Sequence, residues 1–355
     1  MSTHLFSPLA QRGVTFRNRI VMAPMCQYSA VDGVATDWHL AHLGSRAAGG
    51  VGAIIAEASA VLPNGRISPA DVGLWDDRHI EPLRRAFAFV AAQGCVPGIQ
   101  LAHAGRKAST LAPWLGGTPV DAAYGGWDDI VAPSALAFAA NHAVPRELDE
   151  EGIAAVIRAF AAAAVRAHAA GAQLVEVHAA HGYLLHQFLS PLTNRRTDRW
   201  GGSFENRTRL VREVTAAVRA VWPDDLPLWV RISATDWVEG GWDEDASVEL
   251  ARALAPLGCD VVDVSTGGTV PDAKVPVGPG FQVRFAEKIR REAGVATGAV
   301  GLVTGAAQAD AIVREGRADA VLLGRVLLRE PQWAIDAARE LGQPAPIPNQ
   351  YLRGY

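Results

Sequence analysis

The chain has 355 residues, 49% hydrophobic and 20% charged, with a formal net charge of −4. That balance suits a globular protein with a large core and offers no basic footprint for nucleic acid or an anionic membrane surface. The three cysteines, Cys26, Cys95 and Cys259, are too few and too scattered for a disulfide framework or a paired-cysteine metal site, so small molecules are the expected partners.

The opening stretch, MSTHLFSPLAQRGVTFRNR, lacks the basic head and apolar core of a signal peptide. No uninterrupted apolar run reaches the length of about eighteen residues that spans a bilayer, and a cytoplasmic location is expected. The segment before Ile20 is expected as a short hairpin closing one end of the fold, the alternative being a loose terminus. Apolar, β-branched runs then recur near Ile20, Val51, Val96, Leu174, Leu228, Val261, Ala296 and Ala320, most of them followed by a helical pattern. This alternation predicts an α/β fold with a parallel sheet closed as a (β/α)8 TIM barrel, one domain over 1–355.

His39 and His42 fall on a helical pattern beginning near Thr36 and read as structural. Residues 104–148 form an extended loop after the third strand, with 112–133 rich in Gly, Pro, Trp and Asp; such a loop is functional or mobile. The clearest helix runs from Asp149 to Ala170, with Ile153, Val156, Ile157, Phe160 and Ala164 on one stripe and Gly171 at its end. Residues 340–355 form a C-terminal tail. No Gly-rich dinucleotide fingerprint follows a strand and opens a helix, so any nicotinamide donor has to visit transiently.

In a barrel of parallel strands the chemistry sits at the carboxyl ends. There the sequence places Ala23, Pro24, Met25, Cys26 and Tyr28 on strand one, Glu57 and Ala58 on strand two, and Gln100 and His103 on strand three. Strand four ends at His178, strand five at Arg231, strand six at Ser265, strand seven at Gly301, and strand eight at Gly324 and Arg325. His178 and His181 share a face if the segment turns helically after the strand, and Tyr183 is near enough to join them. Two imidazoles can hold one acceptor oxygen while a phenol donates a proton, a set that suits a bound carbonyl. Core packing is the plainer reading, and zinc is disfavoured because no Glu follows the first His as an HExxH motif requires, and the first carboxylate after this stretch is Asp198. The glycines ending the last two strands, with Arg325 beside them, form a phosphate cradle. Gln100 and Arg231 suit a planar heterocycle bearing carbonyls; otherwise Arg231 pairs with a barrel carboxylate. Cys95 and Cys259 read as small buried hydrophobes.

The stretch HAAHGYLLHQFLSPLTNRRTDRWGGSFENR (178–207), with NRIVMAPMCQYS (18–29), IQLAHAGRK (99–107) and LLGRVLLREP (322–331), resembles the old yellow enzyme family of flavin ene-reductases, in particular its xenobiotic-reductase-like branch. The resemblance covers essentially the whole chain. It implies non-covalent FMN held by Ala23, Pro24, Met25, Cys26, Ala58, Gln100, Arg231, Ser265, Gly301, Gly324 and Arg325, with Arg231 near the N1 and C2 carbonyl edge. It further implies ping-pong reduction of an activated C=C bond in an enone or enal by NADPH, nitro compounds and quinones being other acceptors. His178 and His181 would hold the carbonyl, Tyr183 would protonate the α carbon, Tyr28 would hydrogen-bond substrate, and Cys26 would tune the flavin. The tail QYLRGY (350–355) resembles tails whose Arg, here Arg353, reaches a neighbouring subunit's site, which implies a homo-oligomer; the alternative is a frayed end. Larger iron–sulfur relatives are disfavoured by the three isolated cysteines. A flavin-binding sensor without chemistry is disfavoured by the intact trio His178, His181 and Tyr183.

Overall fold

The structure is a computed structural model that describes residues 4–355. An antiparallel hairpin of β1 (Leu9–Gln11) and β2 (Val14–Phe16) precedes β3 (Ile20–Met22), α1 (Asp37–Ala48), β4 (Ala53–Ala60), α2 (Ile80–Ala92) and β5 (Val96–Ala102). A parallel two-stranded pair, β6 (Val131–Ala132) and β7 (Arg146–Glu147), lies in the long loop that follows. Then come α3 (Glu150–Ala169), β8 (Leu174–Ala179), α4 (Leu184–Leu189), α5 (Phe204–Val221), β9 (Leu228–Ser233), α6 (Glu244–Leu254), β10 (Val261–Ser265), α7 (Val283–Ala293), β11 (Ala296–Ala299), α8 (Ala306–Arg314), β12 (Ala320–Leu323), α9 (Arg325–Arg329) and α10 (Trp333–Glu340). The eight strands expected from the apolar runs close one barrel in the order β10-β11-β12-β3-β4-β5-β8-β9, every pair parallel.

Strand alternation divides the core in two. Residues facing the barrel axis near the strand starts, among them Leu174, Trp229 and Val261, form an apolar plug. The hairpin seals it from below: Phe16 packs on Trp229 with ring centroids 6.1 Å apart, and the Trp229 indole N–H donates to Gln11 Oε1 at 2.8 Å. The opposite strand faces pack against the surrounding helices, which explains why the strands read as continuous apolar runs.

Helix α3 shows how the pattern sets one of these helices. Asp149 caps its start, accepting from Gly152 N at 2.8 Å, Ile153, Val156, Phe160 and Ala164 are buried, and Gly171 leaves the helix at φ +90°, a conformation that favours glycine. It is long and apolar enough to cross a membrane, but that apolar stripe is spent on the core cluster shared with β5 and α5.

The 104–148 loop is built rather than trailing. Ser109 Oγ donates to Val120 O and accepts from Trp127 N at 3.0 Å, and Arg196, reaching from the 178–207 stretch, donates to Pro133 O at 3.1 Å and Leu148 O at 2.6 Å. In the tail, 349–354 forms a 3-10 turn and the Tyr355 hydroxyl donates to Gln332 Oε1 at 2.7 Å. Arg353 is exposed there.

Candidate active site

His178, His181 and Tyr183 do meet at the carboxyl end of β8, though not by the helical spacing expected of them. His178 is still in the strand, His181 takes the left-handed conformation at φ +58°, and Tyr183 caps the start of α4. A strand end plus a reversed turn, and no helix, brings the His178 ring centroid 5.1 Å from His181 and 5.2 Å from Tyr183. A left-handed histidine is sparsely populated and persists only where its surroundings over-determine it. Here they do: His181 N donates to Ser233 Oγ at 2.9 Å, and Gly182 N donates to His186 Nδ1 at 2.9 Å. Gly182 lies so close to the chain opposite that a Cβ would stand 2.0 Å from Gly268 O.

Burial, reinforced by the nearby Arg231 guanidinium, holds both imidazoles well below the usual histidine range, so each is neutral and offers one N–H and one lone pair. His178 Nδ1 is buried without a protein partner among the described residues. His181 Nε2 lies 2.7 Å from Ser265 Oγ, so Ser265, expected to serve the cofactor, also fixes a histidine. Burial pushes the Tyr183 phenol well up, with Cys26 and Tyr28 adding to it; it stays protonated.

Several supports were not singled out in the sequence. Buried Asp236 lies 3.1 Å from His186 Nε2, accepts from Ser190 Oγ at 2.6 Å and Thr269 Oγ1 at 2.5 Å, and anchors the turn that carries Tyr183. Lys107 Nζ donates to His181 O at 2.9 Å and Gly268 O at 3.1 Å and stands 4.9 Å from the Tyr183 ring centroid. Burial lowers Lys107 to about 8. Lys107 lay in the HAGRK stretch and His186 in the HAAHGYLLHQ stretch, but which neighbours they meet is a matter of tertiary contact.

Past the end of β3, Cys26 and Tyr28 are half-buried. Burial raises the Cys26 thiol well above its usual value, Asp71 and Glu57 adding to it, so Cys26 is a thiol and not a nucleophilic thiolate. Tyr28 lies edge-on to Trp114, centroids 5.4 Å apart, which brings the 112–133 loop over this rim. Glu57 and Ala58 lie inside β4 rather than at its end, and the register shifts between Ala56 and Ala58. That bulge re-aims Glu57, which accepts from Gln27 N at 3.1 Å and lies 3.4 Å from His39 Nε2.

The residues assigned to FMN fit such a group. A cavity of about 310 Å³ lies where β11 and β12 end, lined by Gln282, Val300, Gly301, Gly324, Arg325 and Arg329. Gly301 sits at φ +127°, and a Cβ there would meet Gln282 Nε2 at 3.0 Å. Gln100 Nε2 donates to Glu176 Oε1 at 2.7 Å. Arg231 pairs through Nε with Asp263 at 2.9 Å, which is the barrel-carboxylate reading of this arginine, and among the described residues its terminal nitrogens bond no acceptor. Ala23, Pro24 and Met25 continue β3 onto the same rim, Ala23 N bonding Leu323 O at 3.0 Å. Arg353 is not brought to this rim by its own chain.

Residues 4–343 match the model of the NADH:flavin oxidoreductase / NADH oxidase family. The chain is 49% identical over 357 residues to an NADPH dehydrogenase of Geobacillus sp. (strain WCH70), covering 100% of this chain and 99% of that one. It is 47% identical to the NADPH dehydrogenase of Bacillus subtilis (strain 168), covering 100% of both. Morphinone reductase, in a structure in complex with tetrahydroNAD, superposes with a TM-score of 0.79 at 29% identity, over 97% of this chain and 92% of that one. With the barrel, the rim and these full-length likenesses together, the chain belongs to the NADH:flavin oxidoreductase / NADH oxidase family, the old yellow enzyme family, and is an oxidoreductase of the NADPH dehydrogenase type.

Proposed function

We propose that this enzyme binds FMN non-covalently, takes reducing equivalents from NADPH, and reduces the activated C=C bond of α,β-unsaturated carbonyl compounds, with nitro compounds and quinones as further acceptors. The observation that carries the reading is the meeting of two neutral imidazoles and one protonated phenol at the carboxyl end of β8. Two neutral N–H donors converging on one oxygen polarise a carbonyl without a compulsory proton transfer, and a phenol beside them supplies the proton that C=C reduction consumes. When bound, FMN supplies hydride chemistry, accepting from the nicotinamide and delivering to the β carbon.

The chain's own residues do the rest. His178 and His181 orient the substrate carbonyl; Tyr183 gives its phenolic proton to the α carbon and regains one from solvent. Lys107 and the Asp236 network hold the turn from which these groups project. Tyr28 hydrogen-bonds substrate beneath Trp114. Gly301, Gly324 and Arg325 cradle the phosphate, the Arg231 terminal nitrogens face the heterocycle, and the Cys26 thiol tunes the flavin as in the branch resembled. With no dinucleotide module among the described residues, nicotinamide and oxidant use one site in turn; the tetrahydroNAD complex of morphinone reductase supports such a visit. Arg353, with Tyr351 and Leu352 exposed beside it, completes a neighbour's site in a homo-oligomer.

The test is a two-stage anaerobic titration of the purified protein. NADPH should bleach its yellow colour, and a cyclic 2-enone, but not the saturated ketone, should restore it. A protein that carried no flavin, or that the enone failed to reoxidise, would overturn the reading.

A further inference from the structure

Between the apolar plug of the barrel and its catalytic rim lies a layer of charge that the proposed reaction does not use. Alternation along the strands places Leu174, Glu176 and His178 on the inward face of β8, Trp229, Arg231 and Ser233 on that of β9, and Val261, Asp263 and Ser265 on that of β10. The first of each trio is in the plug and the last is at the rim, so the middle layer is Glu176, Arg231 and Asp263, joined by Gln100 from β5. The register agrees: Gln100 lies opposite Glu176, and Asp263 opposite Arg231. Glu176 and Asp263 are fully buried.

Two carboxyls and one guanidinium leave an excess negative charge, and a lone buried charge costs several kcal/mol. Among the described residues no second cation acts on Glu176. Besides Arg231, the titratable groups facing Glu176 are Asp263, His178, which is neutral, and Cys259 just before β10, whose thiol burial keeps protonated. The hydrogen bonds of this layer show the same deficit. Glu176 Oε1 accepts from Gln100, whereas Glu176 Oε2 and Asp263 Oδ1 are buried with no donor among the described residues, and Asp263 Oδ2 has only the poorly aligned Arg231 Nε at 2.9 Å. The two carboxyls lie within hydrogen-bonding reach of each other. One proton between them corrects both deficits: it removes the excess charge and gives the orphaned oxygens a donor.

We infer that Glu176 holds this proton and donates it in a hydrogen bond to an ionised Asp263, and that this pair, by balancing Arg231 from below, sets the charge that a bound flavin meets above. Both are positioning residues for the flavin reduction potential. Burial and the neighbouring Asp263 charge push the Glu176 carboxyl well up, in agreement. The inference rests on the FMN reading, because the potential is that of the flavin.

Glu176→Gln is the decisive variant, since a glutamine keeps the acceptor for Gln100 and offers an N–H to Asp263, reproducing a protonated glutamate. The holoenzyme variant should keep its FMN potential and its FMN affinity within about twofold of wild type. The double variant Glu176→Gln/Asp263→Asn removes the one negative charge and should favour reduced over oxidised flavin by about tenfold or more, about 30 mV for the two-electron couple. A rise of that size in Glu176→Gln alone would mean that Glu176 is ionised, and an unchanged potential in the double variant would mean that the pair does not act on the flavin. Either overturns the inference. Infrared spectra give a second readout that needs neither flavin nor a Glu176 variant: a protonated-carboxyl stretch, shifted in D2O, should persist in Asp71→Asn, which removes a further buried carboxyl that burial pushes up, to about 8. Absence of that band sinks the shared proton, while a protein that binds no flavin sinks the FMN reading and leaves the band to be judged by itself.

Discussion

Tyr183→Phe separates the two halves of the proposed cycle. Among the described residues the Tyr183 hydroxyl has no protein hydrogen-bond partner, while its ring is packed by His178 at 5.2 Å and by the Lys107 ammonium at 4.9 Å. Phenylalanine keeps both ring contacts, orphans no buried donor, and removes only the acid. Flavin reduction by NADPH transfers a hydride and needs no phenolic proton, so anaerobic bleaching in a stopped-flow experiment should stay within a few fold of wild type. Reoxidation by a 2-enone needs a proton on carbon, and loss of a general acid typically costs about 10² to 10⁴ in rate; that step should slow by this order. A quinone, whose reduced oxygens take protons from solvent, should still reoxidise the variant well. Since burial keeps His178 and His181 neutral, the wild-type reoxidation rate should show no inflection near the ordinary histidine value of about 6.5. Equal slowing of both halves would refute the assignment and make Tyr183 a wall of the pocket.

The phosphate cradle is tested by two variants. Arg325→Ala should weaken FMN binding roughly ten- to a hundredfold, as expected for a charge-assisted hydrogen bond of about 1.5 to 3 kcal/mol, and Gly301→Ala should do at least as much because its φ of +127° and the Gln282 contact leave no room for a Cβ. Retention of FMN as tight as wild type by dialysis in either would remove that residue from the site. Cys26→Ser should leave the flavin bound and shift its potential by about 30 mV, which corresponds to about 1.4 kcal/mol; an unchanged potential would make Cys26 simple packing. Burial opposes ionisation of Asp236, but His186, Ser190 and Thr269 outweigh it and hold the carboxyl at about 2, below the ordinary 3.8. Its contribution, about 2 kcal/mol, is therefore complete above pH 3.8 and lost as pH falls through 2. Asp236→Asn should be destabilised by at least that amount at pH 7 in urea unfolding and by less at pH 3; a pH-independent difference would contradict the linkage. Removal of Leu352 to Tyr355 should raise the substrate KM in a homo-oligomer, whereas a fully active monomer would show that Arg353 serves no neighbouring site.

What the sequence by itself determined is what depends on local pattern. Eight apolar runs alternating with helical stripes were enough for the barrel, because a parallel strand is buried on both faces and its helix on one, and each leaves its own period in the chain. The same pattern put His178, Ser265, Gly301 and Arg325 on one rim, since a barrel has only one carboxyl end, whereas Arg231, expected at a strand end, lies inside β9 in the layer below. The likeness of 178–207 to old yellow enzymes supplied roles that the pattern alone does not carry. What only the tertiary structure decided is how side chains from strands distant in sequence meet. His178 and His181 are neighbours through a left-handed residue pinned by Ser233 and Gly268, not through helical spacing. Glu57 is aimed by a bulge in the β4 register with β5. Lys107 finds the His181 carbonyl, and Asp236 finds His186, across loops that no local period relates. Glu176 and Asp263 sit in strands whose composition reads as plain core, and that they share one excess charge with Arg231 follows from barrel closure, because electrostatic balance is settled between neighbours in space, and the chain order does not record which those are.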